Sequence, residues 1–118
     1  MSPELIDHFR NPRNVGELPP PACVVEVSNP VCGDILRLSV LVEDGRVRDA
    51  RYKVRGCAAS IATGSAFTEL IAGRDRAGLR SLTPQDIEQA VGGLSNESKH
   101  AAILCMDALT ALFAQFRQ

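Results

Sequence analysis

Alternation marks the middle of the chain. From Ile35 to Val42, the residues Leu36, Leu38, Val40 and Val42 fall on one face of a two-residue repeat, the pattern of a strand with one buried face. Asp44-Gly45 follows, a pair suited to the two positive φ values of a tight primed turn. The return strand runs from Arg46 to about Arg55, with Ala50, Tyr52 and Val54 on one face and Arg51, Lys53 and Arg55 on the other. Val47 is out of phase with Ala50, which predicts a bulge near Arg48-Asp49. Upstream, Cys23 to Val27 reads as a short strand entered from the extended Pro19-Pro20-Pro21.

The pattern then turns helical. Ile61, Ala62, Ala66, Phe67, Leu70 and Ile71 recur at helical spacing between Ala58 and Ala72, and Gly73 is a natural stop. This helix is small-sided, which permits close approach to whatever lies on it. Thr83-Pro84-Gln85-Asp86 supplies an N-cap, a first-position proline and an acidic first turn for a helix that ends at Gly92-Gly93. A last helix starts near Asn96 and runs to about Phe116, apolar around most of its girth and so expected to pack across the sheet. Near the start, Ser2 and Pro3 open a short helix to about Phe9, which Asn11-Pro12 stops. Three strands in one block and helices in another predict an α+β fold.

Composition narrows the picture. The 118 residues fit one domain and one core, and no repeat or low-complexity segment divides them. A formal net charge of −1 argues against a general nucleic-acid binder, and one Tyr and no Trp give little for bases to stack on. No stretch reaches the roughly 18 apolar residues that span a bilayer, and the N-terminus lacks the apolar core of a secretory signal. A cytoplasmic protein without membrane contact is expected.

The candidate chemistry lies in the cysteines. Cys23, Cys32, Cys57 and Cys105 contain no Cys-x-x-Cys pair, which removes thioredoxin-like redox chemistry and zinc knuckles. Cys32-Gly33-Asp34 sits at the mouth of the hairpin, and Cys57 directly follows its second strand, so the hairpin brings the two ends together. Cys57 also precedes a helix, where exposed N–H groups stabilise a thiolate. His100, early in the last helix, can pack over the same rim. Cys32, Asp34, Cys57 and His100 therefore form a candidate set of two thiolates, one carboxylate and one imidazole, suited to zinc or an iron–sulfur cluster. A carboxylate in such a set favours a site that binds and releases. Scattered core cysteines remain the alternative from spacing alone.

Several motifs resemble one family in register. Asp7-His8-Phe9-Arg10-Asn11-Pro12-Arg13-Asn14-Val15-Gly16 resembles the N-terminal signature of the IscU/NifU-type iron–sulfur cluster assembly scaffolds. Pro30-Val31-Cys32-Gly33-Asp34 resembles their first ligand motif, Arg55 to Ala62 their second, and Ser98 to Leu104 their third. The resemblance implies a three-stranded antiparallel sheet with helices on one face. It implies a scaffold, not an enzyme in the strict sense. Sulfur would come from a cysteine desulfurase and iron from a donor, and a transient [2Fe-2S] cluster would pass to acceptor apoproteins. Cys32, Asp34, Cys57 and His100 fall on ligand positions.

The chain departs from the family pattern at Ala101, where many members carry a third cysteine. Cys105 stands one helical turn on as an alternative thiol, although its run Ile103-Leu104-Cys105-Met106 reads as core. The Leu-Pro-Pro-Val-Lys stretch that an Hsp70-type chaperone recognises in many members is absent before His100, which puts docking to that chaperone in doubt. Ala101 keeps two alternatives open: a zinc-binding sulfur-transfer acceptor, and a degenerate regulatory module that has lost the metal. Elsewhere, Cys23 reads as a core or partly exposed thiol, His8 as a packing residue, and Lys99 as either a donor to a ligand or a solvated residue. The Arg51, Lys53, Arg55 stripe reads as the wet face of the sheet, with docking to an acidic partner as its functional reading.

Overall fold

The computed structural model describes residues 2–30 and 33–115. Its elements are α1 (Pro3–Arg10), β1 (Cys23–Ser28), β2 (Ile35–Glu43), β3 (Arg46–Arg55), α2 (Ala58–Ile71), α3 (Arg76–Arg80), α4 (Pro84–Ala90) and, after a 3₁₀ turn at Asn96–Ser98, α5 (His100–Gln115). The strands form one antiparallel sheet in the order β1-β2-β3. The α+β expectation holds.

The hairpin forms where the alternation places it. Asp44 and Gly45 take φ values of 55° and 75°, the left-handed pair that a primed turn requires. Leu41 faces Asp49 and Val42 faces Val47, so Arg48 is the extra residue of a bulge. That insertion restores Val47 to the core side, where it is buried with Leu36, Leu38, Val40, Ala50 and Tyr52.

Helices α2 and α5 cover this face, α2 over β3 and α5 over β1 and β2. Phe67 and Ile71 of α2 and Leu109 and Leu112 of α5 are fully buried against it. Burial that complete is worth about 1.5–3 kcal/mol per large apolar side chain. The small residues of α2 let it lie directly on the sheet. A Cβ at Gly64 would stand 2.6 Å from the Tyr52 ring, and the Tyr52 hydroxyl donates to the Ile61 carbonyl at 2.6 Å. Helix α1 packs on α2, with His8 buried against Ser65 at 2.8 Å, the packing role expected of it.

Two features escape the hydrophobic pattern. Helix α3 is only five residues long, and its signal is Asp75, whose side chain accepts from the Gly78 N–H at 2.8 Å. The other is a segment along the free edge of β3, where Gly16 donates to the Tyr52 carbonyl and Tyr52 to the Asn14 carbonyl, each at 2.9 Å. The chain then crosses under the sheet, and Leu18 donates to Ser39 Oγ at 2.9 Å. That crossing explains why Ser39, on the face opposite the core, is buried. It also covers part of an edge strand that would otherwise offer unpaired main-chain groups. No helix among the described residues is long and apolar enough to cross a membrane.

Candidate metal centre

Three elements end at one point. Asp34 immediately precedes β2, Cys57 immediately follows β3, and His100 opens α5. The pairing of Ile35 with Arg55, carried one residue further, sets Asp34 opposite Gly56. The turn before β2 is closed by the Gly33 N–H on the Asn29 carbonyl at 2.7 Å and the Asn29 N–H on the Asp34 carbonyl at 2.8 Å. Gly33 has φ +76°, which a side chain would strain.

The donor atoms meet at the rim. Cys57 Sγ lies 3.7 Å from His100 Nε2 and 3.8 Å from Asp34 Oδ2, and His100 Nε2 lies 3.3 Å from the same Oδ2. Ligands around one tetrahedral ion, with bonds of about 2.0–2.3 Å, stand about 3.3–3.6 Å apart. The three separations fit such an ion with small adjustments. Asp34 is buried, His100 half-buried and Cys57 exposed, so the centre is anchored inside and open outside.

Surrounding groups bear on these candidate ligands. His100 Nδ1 lies 2.9 Å from the Glu97 carbonyl. Donation there leaves Nε2 of the neutral ring with a lone pair toward the centre. Ser60 Oγ donates to Asp34 Oδ2 at 2.5 Å and lies 3.5 Å from Cys57 Sγ. Burial opposes ionisation of Cys57, but hydrogen bonding from the Ser60 side chain and main chain and from His100 outweighs it, and the thiol is held below its ordinary value. Burial likewise opposes charge on His100, yet the Cys57 thiol, the Glu97 carbonyl and the charges of Cys57 and Asp34 raise it overall. Without metal, the pair leans toward thiolate and imidazolium.

The structure thus brings together Asp34, Cys57 and His100 from the expected set. Cys32 lies outside the described residues. Cys105 is not an available ligand: it is 2 % exposed and packed in the core, and burial pushes its thiol far up. Cys23 is half-buried at the start of β1 and packs against the same core. Lys99 points away from the ligands to Glu88 at 2.9 Å, so its reading as a donor to the centre is corrected. Arg51 is half-buried and held by Asp49 and Asn14, unlike a freely solvated stripe residue. Ser60 was missed in the sequence. Its signal was the position three residues after Cys57, where a group at the start of a helix reaches back to the cap.

The comparisons follow the same lines. Residues 1–118 match the model of the "NifU-like N terminal domain". The "Iron-sulfur cluster assembly scaffold protein IscU 1" of Archaeoglobus fulgidus is 39 % identical over 118 residues, covering 99 % of this chain and 77 % of that protein. The "Iron-sulfur cluster assembly scaffold protein IscU" of Aquifex aeolicus is 36 % identical over 108 residues, covering 90 % of this chain and 69 % of that protein. A crystal structure of a NifU-like N-terminal protein from Brucella abortus has the same fold, with a TM-score of 0.65, 20 % identity, and coverage of 98 % of this chain and 81 % of that one. With the motifs in register and the whole length matched, this chain belongs to the family of NifU-like N-terminal domains.

Proposed function

We propose that this protein is an iron–sulfur cluster assembly scaffold. It takes up iron and sulfide as cargo, holds them briefly as a [2Fe-2S] cluster, and releases the cluster to acceptor proteins. The observation that carries the reading is the convergence of a thiol, a carboxylate and an imidazole from three separate elements, all within 4.8 Å of one another. The names of its relatives support it. Asp34, Cys57 and His100, with Cys32 two residues before Asp34 in the sequence, would supply two thiolates and two other ligands, the four that a [2Fe-2S] cluster takes.

The site's chemistry suits temporary holding. Cys57 binds iron strongly as a soft thiolate, and its exposure lets cargo enter and leave without opening the core. Asp34 is a harder and weaker ligand, so it lowers the barrier to release. The protein's work is ligation and transfer without turnover of a substrate. A cysteine desulfurase is the sulfur source in this reading, an electron donor reduces its persulfide sulfur to sulfide, and acceptor apoproteins are the outlet.

One observation favours a second occupant of the same site. The three donor atoms stand at the spacing of ligands on a single ion. Zinc held there would make the protein a sulfur-transfer acceptor. Anaerobic reconstitution with iron, a desulfurase, cysteine and a thiol reductant separates the two, read by visible absorption and Mössbauer spectra with zinc assayed in parallel. A [2Fe-2S] spectrum that disappears in Cys32→Ser and Cys57→Ser is the expected result. Stoichiometric zinc without a cluster would replace the scaffold reading with the acceptor.

A further inference from the structure

A groove opens on the face of the sheet away from the helices, beside the metal centre. Its volume is about 310 Å³, and it is lined by Glu26, Ile35, Arg37, Lys53, Val54 and Arg55. Its cations are unevenly satisfied. Arg37 is held by Glu17 at 2.6 Å and by Glu26 at 3.4 Å. Lys53 and Arg55 are exposed, and among the described residues neither has an ion-pair partner.

The sheet register sharpens the imbalance. Arg37 and Lys53 are directly opposite each other across β2 and β3, where like charges are unfavourable. Glu17 and Glu26 make their contact ion pairs with Arg37, and Lys53 keeps only a longer-range attraction to Glu17. Arg55 points to the same face two residues on, opposite Ile35, a half-buried apolar residue at the groove. The whole chain carries a net charge of −1, so this concentration of positive charge is local. It is also close to the chemistry. Arg55 precedes Cys57 by two residues, about 7 Å of extended chain.

We infer that this groove docks an acidic segment of a partner protein, with carboxylates on Lys53 and Arg55 and an apolar side chain against Ile35. Two cations on one face, two residues apart, match alternate side chains of an extended acidic peptide. A partner held there stands beside the open mouth of the metal centre. In giving that partner a place in cargo exchange, the inference rests on the scaffold reading. The docking itself requires no metal.

The test uses the metal-free full chain and a short fluorescein-labelled peptide, Glu-Ser-Glu-Ser-Leu, whose extended form sets both carboxylates and the leucine on one face, followed by fluorescence anisotropy. Binding should weaken about tenfold or more in the double variant K53E/R55E and should fall with added salt. The control R10E/R48E makes the same change in net charge elsewhere and should weaken binding less than about twofold. Circular dichroism checks the fold, and K53Q/R55Q replaces the charge reversal if that variant unfolds. Absence of binding by the unaltered chain, equal weakening in both doubles, or displacement of the peptide by an equal concentration of inorganic phosphate would each overturn the inference. Cluster reconstitution is scored separately on the unaltered chain, so either reading can fail while the other stands.

Discussion

The Asp34 carboxylate occupies the space that a side chain on Gly56 would fill: a Cβ there would stand 2.7 Å from Asp34 Cγ and 2.8 Å from Oδ1. The two residues continue the β2–β3 register, so one position must lack a side chain for the other to lie across it. Gly56→Ala should push Asp34 out of its contact with Ser60 and away from the other ligands. Zinc or ferrous ion affinity, measured by chelator competition, should fall about 10–100-fold, the usual cost of disturbing a ligand's support. Unchanged affinity would remove Asp34 from the ligand set.

Ser60 bears on two candidate ligands at once, Asp34 at 2.5 Å and Cys57 at 3.5 Å. Its hydrogen bonds help hold the Cys57 thiol below its ordinary value. In Ser60→Ala the titration midpoint of Cys57 alkylation by iodoacetamide should move to higher pH. At neutral pH the modification should slow, because the thiolate is the reacting form. Measurement in a Cys23→Ser/Cys32→Ser background, with Cys105 buried, isolates the Cys57 thiol.

Cys105 belongs to the core. Cys105→Ala should cost about 1–3 kcal/mol of stability in urea unfolding and leave metal affinity and cluster yield unchanged. A loss of cluster with the fold retained would restore Cys105 as a ligand.

Ala101 adjoins His100 and is 1 % exposed. Ala101→Cys should lengthen cluster lifetime under a chelator challenge, because it returns a thiol to the ligand neighbourhood. The larger side chain in a filled space should cost about 1–3 kcal/mol of stability. An unchanged lifetime would argue that the position turns away from the cargo.

His8 makes folding sensitive to acid. Burial lowers its basicity in the fold, and the Arg13 guanidinium adds to this, while Glu69 and Asp7 oppose it. Its folded value lies below the unfolded reference of 6.5, so protons favour the unfolded chain. The contribution is complete above about pH 6.5 and is lost as pH falls through the lowered folded value. The urea midpoint should therefore drop between about pH 7.5 and about pH 5, and less steeply in His8→Gln. Equal slopes would assign the acid sensitivity to other groups.

Much of this architecture was legible in residue order, for reasons particular to each element. Asp44-Gly45 specifies its turn because few other pairs accept two positive φ values, and the out-of-phase Val47 required a bulge because only an inserted residue returns it to the core. The hairpin therefore set Asp34 beside Cys57 without reference to the rest of the chain. Helix α3 was not legible: five residues carry too little periodicity, and its cap is one aspartate. The crossing at Glu17 and Leu18 was hidden because it is fixed by main-chain bonds to β3 and one hydroxyl, which leave no hydrophobic pattern.

The sequence by itself determined the local geometry and the kinds of ligand: thiol, carboxylate and imidazole at the ends of strands and helices, where main-chain conformation is dictated by neighbours. Tertiary packing decided which of them meet. Helix α5 could be predicted from its apolar residues, but only its seating on β1 and β2 delivers His100 to Cys57 and buries Cys105 one turn further along. Ser60 became a support through the packing of α2 on β3, and Lys99 a partner of Glu88 through the packing of α5 beside α4. Side chains far apart in the chain acquire positions relative to one another only when the core between them is filled.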